Sequence, residues 1–189
     1  MKSAIYQVDA EGILDSTFNY FVKTGLENVR MRQLSKDSGI ALGSIYYWFD
    51  GKDNLIYEVT EYGLKKVVDQ IFSYVLSNMK NLRKLFDECL SEIDKYKNEL
   101  RFIHQMSASP VYGGKIRSKG QYLNLIYDKY VNMLSDMLQC STQELKPLVY
   151  LFVSAVLDYV VWEDTENTQM QLECIYSVLT KNINAATIN

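Results

Sequence analysis

A chain of 189 residues that is 48% hydrophobic and 23% charged can bury a sizeable core, and two prolines and nine glycines exclude a linker-dominated or low-complexity chain. The net charge of -3 divides into six Lys/Arg against six Asp/Glu in residues 1–52 and fourteen against seventeen in residues 53–189. That excludes binding of nucleic acid or membrane through a basic tail, and any nucleic-acid contact must come from local placement of charge.

The N-terminal stretch "MKSAIYQVDAEG" lacks the continuous apolar segment of a signal peptide. In 8–24, Ile13, Leu14, Thr17, Phe18 and Phe21 recur at three- and four-residue steps, and Gly25 stops the run, which predicts a helix. A short second helix is expected over 31–38 with Leu34 inward and Gly39 at its end, and a third over 42–49, bounded by "DGK". Asp50 can cap a fourth over 51–78, whose stripe includes Leu55, Val59, Val67, Val68, Ile71, Phe72 and Val75, with a bend expected near Gly63. Helices follow at 82–96 and 98–107, then a loop, "SPVYGGKIRSKG", over 109–120, then a helix over 121–139. Ser141 with Glu144 has the spacing of a capping box, but Pro147 is read as a breaker, so a turn is expected before a helix over 147–163. Thr168 with Gln171 predicts a second cap before a last helix ending near Asn182. The apolar run "LVYLFVSAVLDYVVW", 148–162, is interrupted by Ser154 and Asp158 and is shorter than the roughly 20 residues that cross a bilayer. No segment alternates as a strand does, so the predicted fold is all-α with about nine helices.

Cys89, Cys140 and Cys174 are odd in number, far apart and set among apolar residues. They form neither a disulfide framework nor a metal-ligand spacing, and predict buried structural thiols in a reduced, cytoplasmic compartment. No Ser/His/Asp set, phosphate loop or metal-ligand cluster occurs, so neither an enzyme nor a cofactor is expected.

The stretch "GIALGSIYYWFDGK", 39–52, carries four aromatic rings in a row. Three short helices with glycine at the middle turn have the form of a helix-turn-helix module, whose second helix presents its N-terminal residues to base edges in the major groove. Leu42, Gly43 and Ser44 would let backbone approach the groove, while Ile45 and Phe49, four apart, face the module's core. Tyr46, Tyr47 and Trp48 cannot all join them. A phenol or indole donor suits a phosphate oxygen and a ring face suits a thymine methyl, although Tyr46 could equally pack in the core. Lys52 falls in the first turn of the fourth helix, where the dipole disfavours a cation unless a phosphate joins it; the alternative is a solvated surface lysine.

Residues 13–59, "ILDSTFNYFVKTGLENVRMRQLSKDSGIALGSIYYWFDGKDNLIYEV", resemble the DNA-binding domain of the tetracycline-repressor-like (TetR/AcrR) transcriptional regulators. The resemblance lies in the apolar first helix ending in Phe21 and Gly25, Leu34-Ser35, the Gly39 turn, Gly43-Ser44-Ile45-Tyr46 with Phe49, and Lys52 before a Leu-rich helix. It implies that Arg32, Gly43, Ser44, Tyr46, Tyr47, Trp48 and Lys52 meet double-stranded DNA. It implies a helix-turn-helix domain over 1–52 and a helical ligand-binding and dimerisation domain over 53–189. The sequence departs from the family pattern in having Ala41 and Leu42 where a capping hydroxyl is common, an acidic Asp50, and no Arg or Lys in the recognition helix.

Under that resemblance the chain is a ligand-responsive regulator, most often a repressor, that binds a pseudo-palindromic operator as a homodimer. The two C-terminal helices would form the dimer seam. Tyr122, Tyr127, Tyr130, Tyr150, Tyr159 and Trp162 lie on helices expected to surround a pocket or that seam, and Met106, Met133 and Met137 share that reading; all are equally compatible with core. His104, the one histidine, can bond a ligand or a helix end. Phe102, His104, Met106, Tyr127 and Trp162 are the candidates to line a site for a small, mainly apolar or aromatic ligand. The rival reading is a small-molecule-binding helical protein that acts through a protein partner.

Overall fold

In a computed structural model of the chain, the described residues are 10–25, 30–118 and 121–187, and side chains are described except at 117–118, 121–126 and 184–187. Tyr122 lies outside the described side chains. The apolar stripes produce α1 (Ala10–Thr24), α2 (Met31–Ser38), α3 (Leu42–Trp48), α4 (Gly51–Asn78), α5 (Leu82–Asp94), α6 (Lys97–Ala108), α7 (Gly113–Ser118), α8 (Gln121–Leu138), α9 (Thr142–Trp162) and α10 (Thr165–Thr187). Among the described residues there are ten helices and no strand. The chain forms two compact units: the first takes residues up to Val67 together with Phe102–Arg117, the second Val68–Arg101 and the chain from Ser118. The first unit thus takes in the start of α4 together with parts of α6 and α7.

The first unit is built on α1. Ile13, Phe18 and Phe21 are fully buried there, joined by Leu34 of α2, Ile45 of α3, Phe49, and Leu55, Ile56 and Val59 of α4. Phe18 meets the edge of Phe102 with ring centroids 5.9 Å apart, and Phe21 lies 6.0 Å from the same ring. This fixes Phe102, at the head of the α6 segment, as part of the core under α1. At the rim, Tyr62 donates to Asp15 at 3.1 Å and Lys66 pairs with the same carboxylate. The lysine's hydrogen bond holds the Asp15 pKa below its ordinary value against the opposing effect of burial.

At Gly63 the backbone of α4 lies against the Phe18 ring of α1. The Phe18 ring lies where a Cβ on residue 63 would be, so glycine is required by contact. The bend expected there does not interrupt α4, which is one helix of 28 residues. Glycine inside a helix is then explained by the ring against its backbone.

In the second unit α9 is the central helix and packs against α5, α8 and α10, with Leu145, Leu148, Val149, Ala155, Val156, Tyr159 and Val160 buried. Phe72 stacks on Tyr130 at 3.7 Å, and Tyr127 on Tyr150 at 4.4 Å. Arg101 donates to the Val160 carbonyl at 2.7 Å and pairs with Glu163, which ends α9 in the left-handed region at φ 58°. A carboxylate between Arg101 and Lys97 gives Glu163 the partners that hold this conformation; Arg101 foremost keeps its pKa low.

Several expectations are corrected. Pro147 does not break the chain: α9 starts at Thr142, capped by Ser141, whose side chain accepts from the Glu144 N–H. Proline in a helix interior removes one backbone bond, here the one to the Gln143 carbonyl, but Gln143 and Pro147 are both exposed, so water can meet that oxygen. With its extra residues α9 reaches 21 and is long and apolar enough to cross a membrane by length and composition alone; its buried stripe is covered by neighbouring helices. The second cap is Asp164, which accepts from the Asn167 N–H at 3.0 Å, and not Thr168, whose hydroxyl donates to the Asp164 carbonyl from within α10. The segment read as a loop over 109–120 contains α7. Cys89 and Cys140 are buried, but Cys174 is exposed on α10.

Replacing Gly63 with Ala should destabilise the protein by about 1–2 kcal/mol, because overpacking against Phe18 outweighs the roughly 1 kcal/mol that alanine gains in helix propensity. Chemical denaturation measures this. A Phe18→Leu background, which clears the space, should reduce the effect.

Candidate nucleic-acid interface

The turn between α2 and α3 is held by its own polar groups. Gly39 ends α2 at φ 69°, a left-handed conformation that glycine adopts without strain. Ser38 Oγ donates to the Leu34 carbonyl at 2.7 Å and accepts from the Ile40 N–H at 3.3 Å. Ser35 Oγ donates to the Ile40 carbonyl at 2.6 Å. The two serines therefore satisfy both backbone groups of Ile40, whose side chain is buried. Sequence reasoning gave neither serine a role in the turn; two serines three residues apart at the end of α2, just before Gly39, were the available signal.

Helix α3 has seven residues and one buried position, Ile45. Phe49, at its C-cap, is 2% exposed, whereas Tyr46, Tyr47 and Trp48 are 49%, 82% and 48% exposed. The four consecutive rings thus divide as burial requires: one goes inward and three go outward. Tyr47 and Trp48 brace each other edge to face at 5.5 Å. Ala41 caps α3 without a side-chain bond, so the helix begins with backbone and small residues, Gly43 exposed and Ser44 half-buried. Arg32 on α2 and Lys52 in the first turn of α4 are exposed. Arg32, Gly43, Ser44, Tyr46, Tyr47, Trp48 and Lys52 therefore all lie in the first unit, on the three helices that surround the turn or follow it.

A second segment supports the start of α4. Tyr112 donates to Asp53 at 3.1 Å, and Lys115 of α7 reaches Asn54 Oδ1 at 3.4 Å and lies 4.6 Å above the Tyr57 ring. Burial, then the Asp53 carboxylate, raises the Tyr112 pKa, so the phenol remains a donor. These contacts join residues almost sixty positions apart and no local pattern announces them.

The five residues expected to line a ligand site do not come together. Phe102 and Met106 are buried in the first unit, His104 is exposed, Tyr127 stacks on Tyr150, and Trp162 is 76% exposed. The second unit instead holds a cavity of about 150 Å³ to which α4, α5, α8, α9 and α10 contribute, and none of the five lines it. Among the described residues, every lining side chain is Val, Ile, Leu, Phe or Met. No group of three His, Cys, Asp or Glu side chains that could hold a metal ion occurs among the described residues.

Residues 13–59 match the family model of the bacterial regulatory proteins, tetR family. The chain is similar to an uncharacterised helix-turn-helix transcriptional regulator of Haemophilus influenzae, with 31% identity over 88 residues, 47% of this chain. It covers 41% of that relative's length. A crystal structure of a Streptomyces coelicolor A3(2) protein, provisionally assigned as a transcriptional regulator, is similar over 90% of this chain and 97% of its own, with 19% identity and a TM-score of 0.49. That likeness is too distant to carry an assignment.

Replacing Ser35 with Ala should cost about 1 kcal/mol, because it leaves the Ile40 carbonyl without its partner in a half-buried turn. Thermal or denaturant unfolding tests this. Ser35→Thr, which restores the hydroxyl, should recover most of the loss.

Proposed function

We propose that the chain, whose residues 13–59 match the family model of the bacterial regulatory proteins, tetR family, is a cytoplasmic transcriptional repressor, which binds a pseudo-palindromic DNA site as a homodimer and leaves it when a small apolar molecule binds. The observation that carries this reading is the outward display of Tyr46, Tyr47 and Trp48 from a helix whose inward face is taken by Ile45. Exposed aromatic residues are costly to leave in water without a use, and here they stand between Arg32 and Lys52 in sequence. Their hydroxyl and indole donors suit phosphate, their faces suit thymine methyls, and the small Gly43 and Ser44 allow close approach at the head of α3. Lys52 supplies a phosphate contact at the start of α4.

The homodimer is supported by what α9 and α10 leave outside. Leu151, Trp162, Met170 and Val178 are 56%, 76%, 60% and 45% exposed. A second copy would cover them, and a twofold pair on DNA would hold its recognition helices about 34 Å apart, the spacing of successive major grooves. Helix α4 carries Lys52 in its first turn and the cavity-lining residues Ile71, Phe72 and Val75 further along, so it contributes to both the proposed DNA contact and the cavity wall. A ligand weakens DNA binding only if it prefers the arrangement that DNA does not. The rival, a helical binder acting through a protein partner, is favoured by the acidic Asp50 and by a recognition helix without Arg or Lys.

Selection of bound fragments from genomic DNA should yield a pseudo-palindromic site, and failure to select any sequence would leave the protein-partner reading. On the selected site, Lys52→Ala should weaken binding to all sequences alike and lower the slope of log K against log salt by about 0.9, one phosphate's worth. Tyr47→Ala should change sequence preference instead. Unaltered binding by Lys52→Ala at every salt concentration would exclude the phosphate contact. In sedimentation the protein should be a dimer at micromolar concentration, and Leu151→Asp should produce monomers that bind DNA weakly.

A further inference from the structure

Among the described residues, the cavity in the second unit offers no anchor for a polar molecule. Ile71 and Phe72 of α4, Leu134 of α8, Val153 and Leu157 of α9 and Ile175 of α10 face it, and among the described residues no hydroxyl, amide, imidazole or charged group joins them. All these residues sit on helices, whose backbone N–H and C=O groups bond within the helix. The phenols nearby are already engaged: Tyr130 donates to Asp69 and Tyr159 to Asp94. Water against this lining would find none of the two to four polar partners it needs, and an enclosed apolar cavity of this size stays dry and takes up benzene or xenon.

We propose that this cavity binds a compact uncharged hydrocarbon, aromatic or alicyclic, of about six to ten carbon atoms, held by shape and dispersion without a hydrogen bond. The inference names the chemical class of the ligand proposed above and rests on that reading only for its effect on DNA. A volume of about 150 Å³ matches one ring or a small fused pair. Any donor or acceptor on the ligand would lose its hydration and find nothing in return. The site therefore selects by rejecting polarity: a hydroxyl or carboxylate on the same ring is a defect there. This differs from a mainly apolar pocket with a few fixed polar contacts, which orients its ligand through them.

The test uses the full chain with its Ile, Leu, Val and Met methyl groups labelled for NMR, titrated with benzene, cyclohexane and naphthalene, and with phenol and benzoate. Saturable shifts confined to methyls of the lining residues are expected with benzene or cyclohexane, with phenol at least tenfold weaker and benzoate weaker again. Val153→Phe, which fills the space, should abolish the shifts. Should that variant not fold, Leu157→Ala, which enlarges the cavity, should bind naphthalene at least threefold more tightly than the parent does. No saturable shift with any hydrocarbon, or phenol or benzoate binding as tightly as benzene, overturns the proposal. A hydrocarbon that binds at the cavity but leaves affinity for the selected DNA unchanged supports the site and overturns the ligand response.

Discussion

A helix of seven residues has one side to give to a core, and in α3 Ile45 takes it, with Phe49 completing the contact at the cap. Every other property of the interface depends on that allocation. Once Ile45 and Phe49 are inward, the 100° step of a helix sends Tyr46, Tyr47 and Trp48 to the remaining sides. The turn before them must then be tight enough to bring Ile45 against Leu34 and the α1 rings, and Gly39 with two serines makes it so. The first unit is organised to hold one short helix at a fixed angle, and the depth of its core, from Ile13 to Val59, is large for so small a load. Such a support suits a surface that must meet a rigid partner without readjusting.

Much of the first unit was legible in the sequence because its signals are local. Glycine after a short apolar period fixed α2 to the residue, and the inward pair four residues apart fixed the orientation of the rings. What was not legible depended on distant chain. Gly63 read as a possible bend because nothing in 51–78 reveals that Phe18 lies against it. Three glycines and a proline between 109 and 120 masked α7, which forms where Tyr112 and Lys115 reach back to α4. Pro147 was read by its average behaviour; its exposed position decided otherwise.

The ligand residues show a different limit. Periodicity identified Val68, Ile71, Phe72 and Val75 as an apolar stripe, and all four line the cavity. Nothing in a periodic pattern says whether the opposing side chains fill the space they face, so the scattered aromatic residues are the louder signal in the sequence.

Burial also sorts the three thiols. Cys89 is buried with its pKa pushed up to about 12, and burial raises that of Cys140 as well. Thiolates are the reactive form, so both are poor nucleophiles at neutral pH, while Cys174 stands in solvent on α10 between the exposed Met170 and Val178. The natural chain thus carries a single addressable attachment point for a spin label or fluorophore, with no cysteine needing to be removed. In any assembly of two copies it yields one distance, measured across the surface where the copies would meet.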